Sequence, residues 1–257
     1  MKSINICLLS AMPEEIGTTI DNLEHVTLTE YGDLKIYYGK LKKKVSNYES
    51  VNIFLAWSGW GKVSAARAIT RILAGKHNID LIIFTGVAGA ANKNLSQWDI
   101  VIANEVIQHD MDARPIFEKF VLPPLKKAIL ESDTFLNNWI FNSLTKGIKN
   151  GNLNKFGLIK KGLIATGDSF ISERSEIKRL NDELPNLYAI EMEGGAVAQV
   201  AEQEGVPWVI VRVISDSADV NSAKDFDQFL KDYVLSSWKL IDCFLQDIPN
   251  FSRTNGI

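Results

Sequence analysis

Cysteine is nearly absent from these 257 residues, with only Cys7 and Cys243 present. Two cysteines cannot build a disulfide framework or, by themselves, a zinc site. Cys7 lies in an apolar segment, which favours a buried thiol. Histidine is almost as scarce, at three. His25 and His77 stand in unrelated surface-like contexts, so His109-Asp110-Met111-Asp112 lacks converging ligands for a metal. It reads as a structural turn or as a wall of a site. Positive charge is not in excess either: 28 Lys and Arg against 31 Asp and Glu leave a net charge of -3. That removes the electrostatic case for nucleic acid or an anionic membrane. No apolar run approaches the roughly 18 residues of a membrane span. The short N-terminal run is followed at once by Pro13-Glu14-Glu15 and reads as a first strand, not a signal peptide. Repeats and low-complexity tracts are missing, and Lys42-Lys43-Lys44 reads as a solvated turn. A cytoplasmic protein is expected.

What is present fits a single domain over residues 1–257. Hydrophobic residues make up 46% and charged residues 23%, enough for one large α/β core. Ile4–Ser10, Val51–Trp57 and the short run Leu81–Phe84 read as buried strands. Pro13 opens a helix, with Glu14 and Glu15 at its positive end. Val26–Glu30 and Leu34–Tyr38, joined through Tyr31-Gly32-Asp33, form a hairpin. Lys62–Leu73 is a helix. Trp98–Ala103, Glu105–Gln108 and Phe156–Ala165 are further strands. A helix from Glu193 to Glu204 closes on Gly205, and a last helix runs from about Phe226 to Leu245, before a frayed tail from Asn250. The stretch 116–155, with Pro123-Pro124 and apolar Leu125, Ile129, Leu130, Leu136 and Ile140, reads as a helical excursion inside the domain.

Chemistry concentrates where apolar runs end. Trp208–Ile214 reads as a buried parallel strand, yet Asp216 follows it at the carboxyl end, where open α/β sheets place ligands. Leu187-Tyr-Ala-Ile ends likewise in Glu191 and Glu193. Two neighbouring strands would then deliver three carboxylates to one crevice, suited to holding a polyol and protonating a leaving group. Glu191 could equally be a hydrogen-bonded structural carboxylate. Arg212, inside an apolar strand, must be paired, and one of these acids is its natural partner. Glu15 alone would serve a helix dipole; its position after the first strand puts it at the same edge as Asp216. Two glycine turns, Ser58-Gly-Trp-Gly61-Lys62 and Thr85-Gly-Val-Ala-Gly89, each follow an apolar strand. Neither is a Walker loop or a full dinucleotide fingerprint.

Six motifs occur in order: Ala11-Met12-Pro-Glu-Glu15, Ser58-Gly-x-Gly-Lys62-Val63, Thr85-Gly-x-Ala-Gly89, Gly167-Asp168-x-Phe170-Ile171, Glu191-Met192-Glu193 and Arg212-x-Ile214-Ser215-Asp216. Together they resemble the nucleoside phosphorylase/hydrolase superfamily, and most closely its 5′-methylthioadenosine/S-adenosylhomocysteine nucleosidases. The resemblance spans nearly the whole chain outside 116–155. It implies a three-layer α/β/α fold around a mixed, twisted sheet, a purine nucleoside as partner, no cofactor and no metal. By that resemblance Glu15 activates the attacking water and Asp216 protonates adenine N7, held by Ser215. Met192 and Glu193 contact the ribose, Phe170 stacks on adenine, and Ile171 reads its edge. Ala88 and Gly89 line the nucleoside site, Trp60 and Phe226 fall near the 5′ substituent, and Glu191 and Arg212 support the acids. Pro13, Val87, Gly194-Gly195 and the bulky Trp60 depart from the family pattern and bear on the 5′ preference. The family also implies a homodimer, with the apolar segment Met111–Phe117 of one subunit bordering the other's 5′ pocket.

The residue types suit that chemistry. Breaking an N-glycosidic bond builds positive charge on ribose and negative charge on the base; an acid relieves the second while positioned water attacks the first. A phosphorolytic enzyme would need arginines or a donor nest in the first turn, and Ser10-Ala-Met-Pro-Glu-Glu15 has none. Hydrolases of adenosine 5′-phosphate or futalosine remain alternatives, with Arg114 available to a charged 5′ group. A catalytically dead nucleoside-binding protein would need neither Glu15 nor Asp216.

Overall fold

A computed structural model describes residues 2–216 and 222–250. The first strand, β1 (Ile4–Ser10), sends Ile4, Ile6 and Leu8 into one core cluster and Cys7 and Leu9 into another. Both faces are buried, as a continuous apolar run requires. A hairpin follows, β2 (Leu23–Tyr31) with β3 (Leu34–Leu41); Tyr31 pairs with Leu34, leaving Gly32-Asp33 as a two-residue turn. β3 runs antiparallel to β4 (Val51–Trp57), and β4 parallel to β1. On its other side β1 pairs in parallel with β5 (Leu81–Ala90).

From β5 the sheet closes on itself. β5 is parallel to β10 (Trp208–Asp216), which is antiparallel to β6 (Ile100–Gln108). β6 is parallel to β8 (Ile159–Thr166), β8 is parallel to β9 (Leu187–Glu191), and β9 returns antiparallel to the end of β5. β1 to β4 extend from this ring as a wing, and β7 (Ile129–Glu131) adds to β6. The sheet is therefore of mixed orientation. The helices α1 (Lys62–Leu73) and α4 (Gly194–Gln203) bury alanines and aliphatics against one face. Residues of α2 (Thr134–Lys149), α5 (Ser222–Tyr233) and α6 (Ser237–Leu245) join the cluster on the other. α3 (Arg174–Glu183) packs Leu180 with Leu163 and Leu187. Among the described residues no helix is long and apolar enough to cross a membrane.

Several expectations need correction. Pro13–Glu15 makes a single 3₁₀ turn, not the start of an α-helix; Gly17 takes φ +56 two residues on and ends it. Thr85-Gly-Val-Ala-Gly89 is not a turn but the second half of β5. The two strands around Asn104 are one, interrupted by a bulge between Ala103 and Glu105. β8 starts at Ile159, later than expected. β9 and β10 are not neighbours: both flank β5. The last helix is two, broken between Tyr233 and Ser237. Ile129 and Leu130, read as helical, lie in β7, and Leu122 bridges Lys127, so only the second part of 116–155 is helix. Lys42–Lys44 are exposed as expected. The expected fray beyond Asn250 falls outside the described residues.

Candidate active site

Glu15 is set by the turn that replaced the helix. Its side chain folds back, and Oε2 accepts from the backbone N–H of Ala11 (2.8 Å) and Met12 (2.9 Å). Oε1 accepts from Val87 N–H (2.8 Å), at the end of β5. This approach explains the glycine within the strand: a Cβ on Gly86 would collide with Glu15 Oε1 and Arg212 Nη1. Glu15 is buried. Burial pushes its carboxyl above the ordinary range, against the pull of Arg212 and the three N–H groups.

Arg212 enters from the middle of β10, fully buried, and pairs with Glu191 as the sequence demanded. Glu193 Oε2 lies 3.8 Å and Glu15 Oε1 4.0 Å from its guanidinium. Burial pulls its proton affinity down, but the three carboxylates outweigh that and hold it above its usual value. Glu191 also accepts from Gly194 N–H (2.7 Å), Glu193 N–H (3.1 Å) and the Thr166 hydroxyl, so it caps the start of α4. Glu193 Oε1 accepts from Gly61 N–H at 2.7 Å. Burial and the nearby Glu191 push its carboxyl up to about 8, against Arg212 and the Gly61 bond.

Asp216 ends β10, buried, and its Oδ2 accepts from the Ser215 hydroxyl at 2.7 Å. One cavity, open to solvent, reaches the carboxylates of Glu15, Glu191, Glu193 and Asp216. Glu15, Glu193, Ser215 and Asp216 line it together with Ala88, Gly89 and Met192. Glu191 and Ile171 also reach it, whereas Arg212 lies behind its wall. Three aromatic rings form its rim: Phe226 stands edge-on to Trp60 (6.1–6.4 Å being the range of its two ring contacts) and to Phe170. Trp60 is 56% exposed. The structure thus gathers every site residue named from sequence.

Sequence reasoning passed over Ala11, Met12, Val87, Ser169 and Ile190 as lining residues; each adjoins or lies within a motif that was read. Gly61 as a donor to Glu193, 132 residues away, had no local signal. His109 is buried, its ring against Gly167, and it does not line the cavity. Arg114 is engaged by Asp112 at 2.5 and 2.9 Å and does not line the cavity. Among the described residues no cluster of three or more His, Cys, Asp or Glu is placed to hold a metal ion.

Comparison with known proteins bears on the same residues. The family model of the Phosphorylase superfamily matches residues 5–246. A 5′-methylthioadenosine/S-adenosylhomocysteine nucleosidase of Anoxybacillus flavithermus is 34% identical over 245 residues, 95% of this chain and 99% of that protein. The crystal structure of the Neisseria meningitidis nucleosidase of the same name, in complex with methylthio-immucillin-A, superposes with a TM-score of 0.82 at 30% identity, covering 94% of this chain and 98% of that one. The native futalosine hydrolase of Helicobacter pylori gives 0.80 at 28% identity, over 94% and 97%. The chain therefore belongs to the phosphorylase superfamily and, within it, to the 5′-methylthioadenosine/S-adenosylhomocysteine nucleosidases.

Proposed function

We propose that this protein hydrolyses the N-glycosidic bond of 5′-methylthioadenosine, S-adenosylhomocysteine or both, releasing adenine and the 5′-thioribose. One observation carries the reading: Glu15 and Asp216 face a single cavity with Glu193 beside them, and no Arg or Lys is among the described residues that line it. Phosphate has no cationic seat there, and Glu15 would repel it. Water is the nucleophile that fits.

The roles follow from chemistry. Adenine, stacked on Phe170 and read by Ile171, leaves more readily once Asp216 gives N7 a proton; Ser215 fixes that carboxyl. Departure of the base loads positive charge on C1′ of the ribose. Glu15, aimed by three N–H groups, takes a proton from a water that attacks C1′. Arg212 helps hold that carboxylate charge in a buried place. Glu193 accepts from the ribose hydroxyls, and Met192 packs on the sugar. Trp60 and Phe226 give the 5′ substituent an apolar seat. No metal or organic cofactor has a part in this scheme.

The helices on both faces of the sheet support a three-layer α/β/α arrangement within one domain over 1–257. A homodimer goes with the reading, supported by the exposure of Ile116, 82% accessible within the apolar Met111–Phe117 segment. Light scattering at dilute concentration should then give twice the 28.7 kDa of the chain; a monomer mass overturns that part. A cytoplasmic place in methionine salvage suits the same chemistry. Futalosine and adenosine 5′-phosphate are the competing substrates, but Arg114 is occupied by Asp112 and off the cavity. Base release measured across these four nucleosides tests the assignment: the two thio substrates should give the highest kcat/KM. A higher value for futalosine or the phosphate would reject it.

A further inference from the structure

Two motifs remain without a role in that scheme: the Lys62 end of Ser58-Gly-Trp-Gly-Lys62 and Asp168 after Gly167. Neither residue lines the cavity. They meet each other outside it. Asp168 Oδ1 accepts from the backbone N–H of Lys62 at 2.8 Å, and Lys62 Nζ donates to Asp110 at 2.6 Å. Asp110 in turn accepts from Asp168 N–H at 3.0 Å, and Asp168 Oδ2 lies 3.9 Å from Lys62 Nζ. The three charges thus close a ring across segments 58, 48 and 106 residues apart. Lys62 is mostly covered, its side chain 19% exposed.

The ring grips the residue next to Gly61, and Gly61 N–H is the donor to Glu193. Gly61 sits at φ +89, which leaves its N–H direction dependent on what holds the loop. A Cβ there would press on Asp168 Oδ1, so the loop lies directly against the acid.

We propose that Asp168, Lys62 and Asp110 are positioning residues: a charged clasp that holds Gly61 N–H on Glu193 and thereby sets ribose recognition without touching the substrate. The proposal rests on the assignment of Glu193 to the ribose. It predicts a split between binding and chemistry, because Glu15 and Asp216 are held by other contacts. Asp168→Ala loses both the Lys62 N–H bond and the ion pair. It should raise KM for 5′-methylthioadenosine about tenfold, lower kcat less than about threefold, and shrink the preference for ribo- over 2′-deoxyribonucleoside by a similar factor. Asp168→Asn keeps an oxygen for the Lys62 N–H and should recover most of the loss. Helix capping alone would lower Tm and leave the ribo-to-deoxyribo ratio at the wild-type value; that result overturns the proposal.

Hydrogen exchange at the Gly61 amide in the substrate-free protein tests the clasp apart from activity. Asp168→Ala, or Lys62→Met should the first fail to fold, should lose protection there relative to wild type, and Asp168→Asn should keep most of it. Unchanged protection overturns the clasp. No adenine released by the wild-type protein, with the loss of protection still seen in Asp168→Ala, would sink the substrate assignment and leave the clasp standing.

Discussion

Arg212 brings one positive charge to a buried place that holds Glu15, Glu191 and Glu193. Three ionised carboxylates against one guanidinium would leave excess negative charge out of water, so the cluster keeps a proton. Glu193, pushed up to about 8, is where burial and Glu191 direct it. Its ordinary value is 4.5, so the folded chain holds a proton that the unfolded chain has lost between these two limits. The resulting stability is complete below about 4.5 and is lost as pH rises to and through about 8. Melting of the substrate-free protein should therefore fall more steeply with pH across that window than melting of Glu193→Gln, which cannot ionise. Parallel slopes would contradict the assignment. Asp216→Asn keeps size and polarity but cannot donate the proton to the base. General acid catalysis contributes about 10²–10⁴-fold, so kcat should drop by that order with Tm near the wild-type value. Retention of more than about a tenth of kcat would remove Asp216 from the mechanism.

At the scale of elements, the site depends on β5 more than its glycine-rich sequence suggests. The strand passes between β9 and β10 and brings Val87 N–H to Glu15. Gly86→Ala adds one methyl group where Arg212 and Glu15 meet. A displacement near 1 Å at reacting groups costs about 10²-fold, and kcat/KM should fall by that order; wild-type activity would show that Glu15 can move freely. The same strand marks the limit of reading by pattern. β1, β4 and α1 were legible to the residue because apolar runs and helical spacing end at punctuating polar or glycine residues. Gly86 carries the same mark as a turn, yet it serves a close approach by side chains from β10 and the Glu15 turn. The interruption at Asn104 was legible, though as a gap between two strands and not as a bulge in one; the break between α5 and α6 lacks Gly or Pro, so nothing local announced it. The site residues were legible as motifs, and Arg212 as a charge that had to be paired. Their donors were not: Gly61 and Val87 act through backbone N–H groups, which no side chain reveals.

For the whole molecule, the closed part of the sheet is what converts scattered motifs into one cavity. β5, β9 and β10 end at the same place, and β1 delivers the Glu15 turn beside them. The central claim is that this cavity cleaves a thio-substituted adenosine with water. The most direct measurement is incubation with 5′-methylthioadenosine in phosphate-free buffer containing EDTA, with products identified by mass spectrometry. The account predicts adenine and free methylthioribose at a rate that added phosphate does not raise. Absence of adenine, or its appearance only with phosphate together with a sugar 1-phosphate, would contradict it.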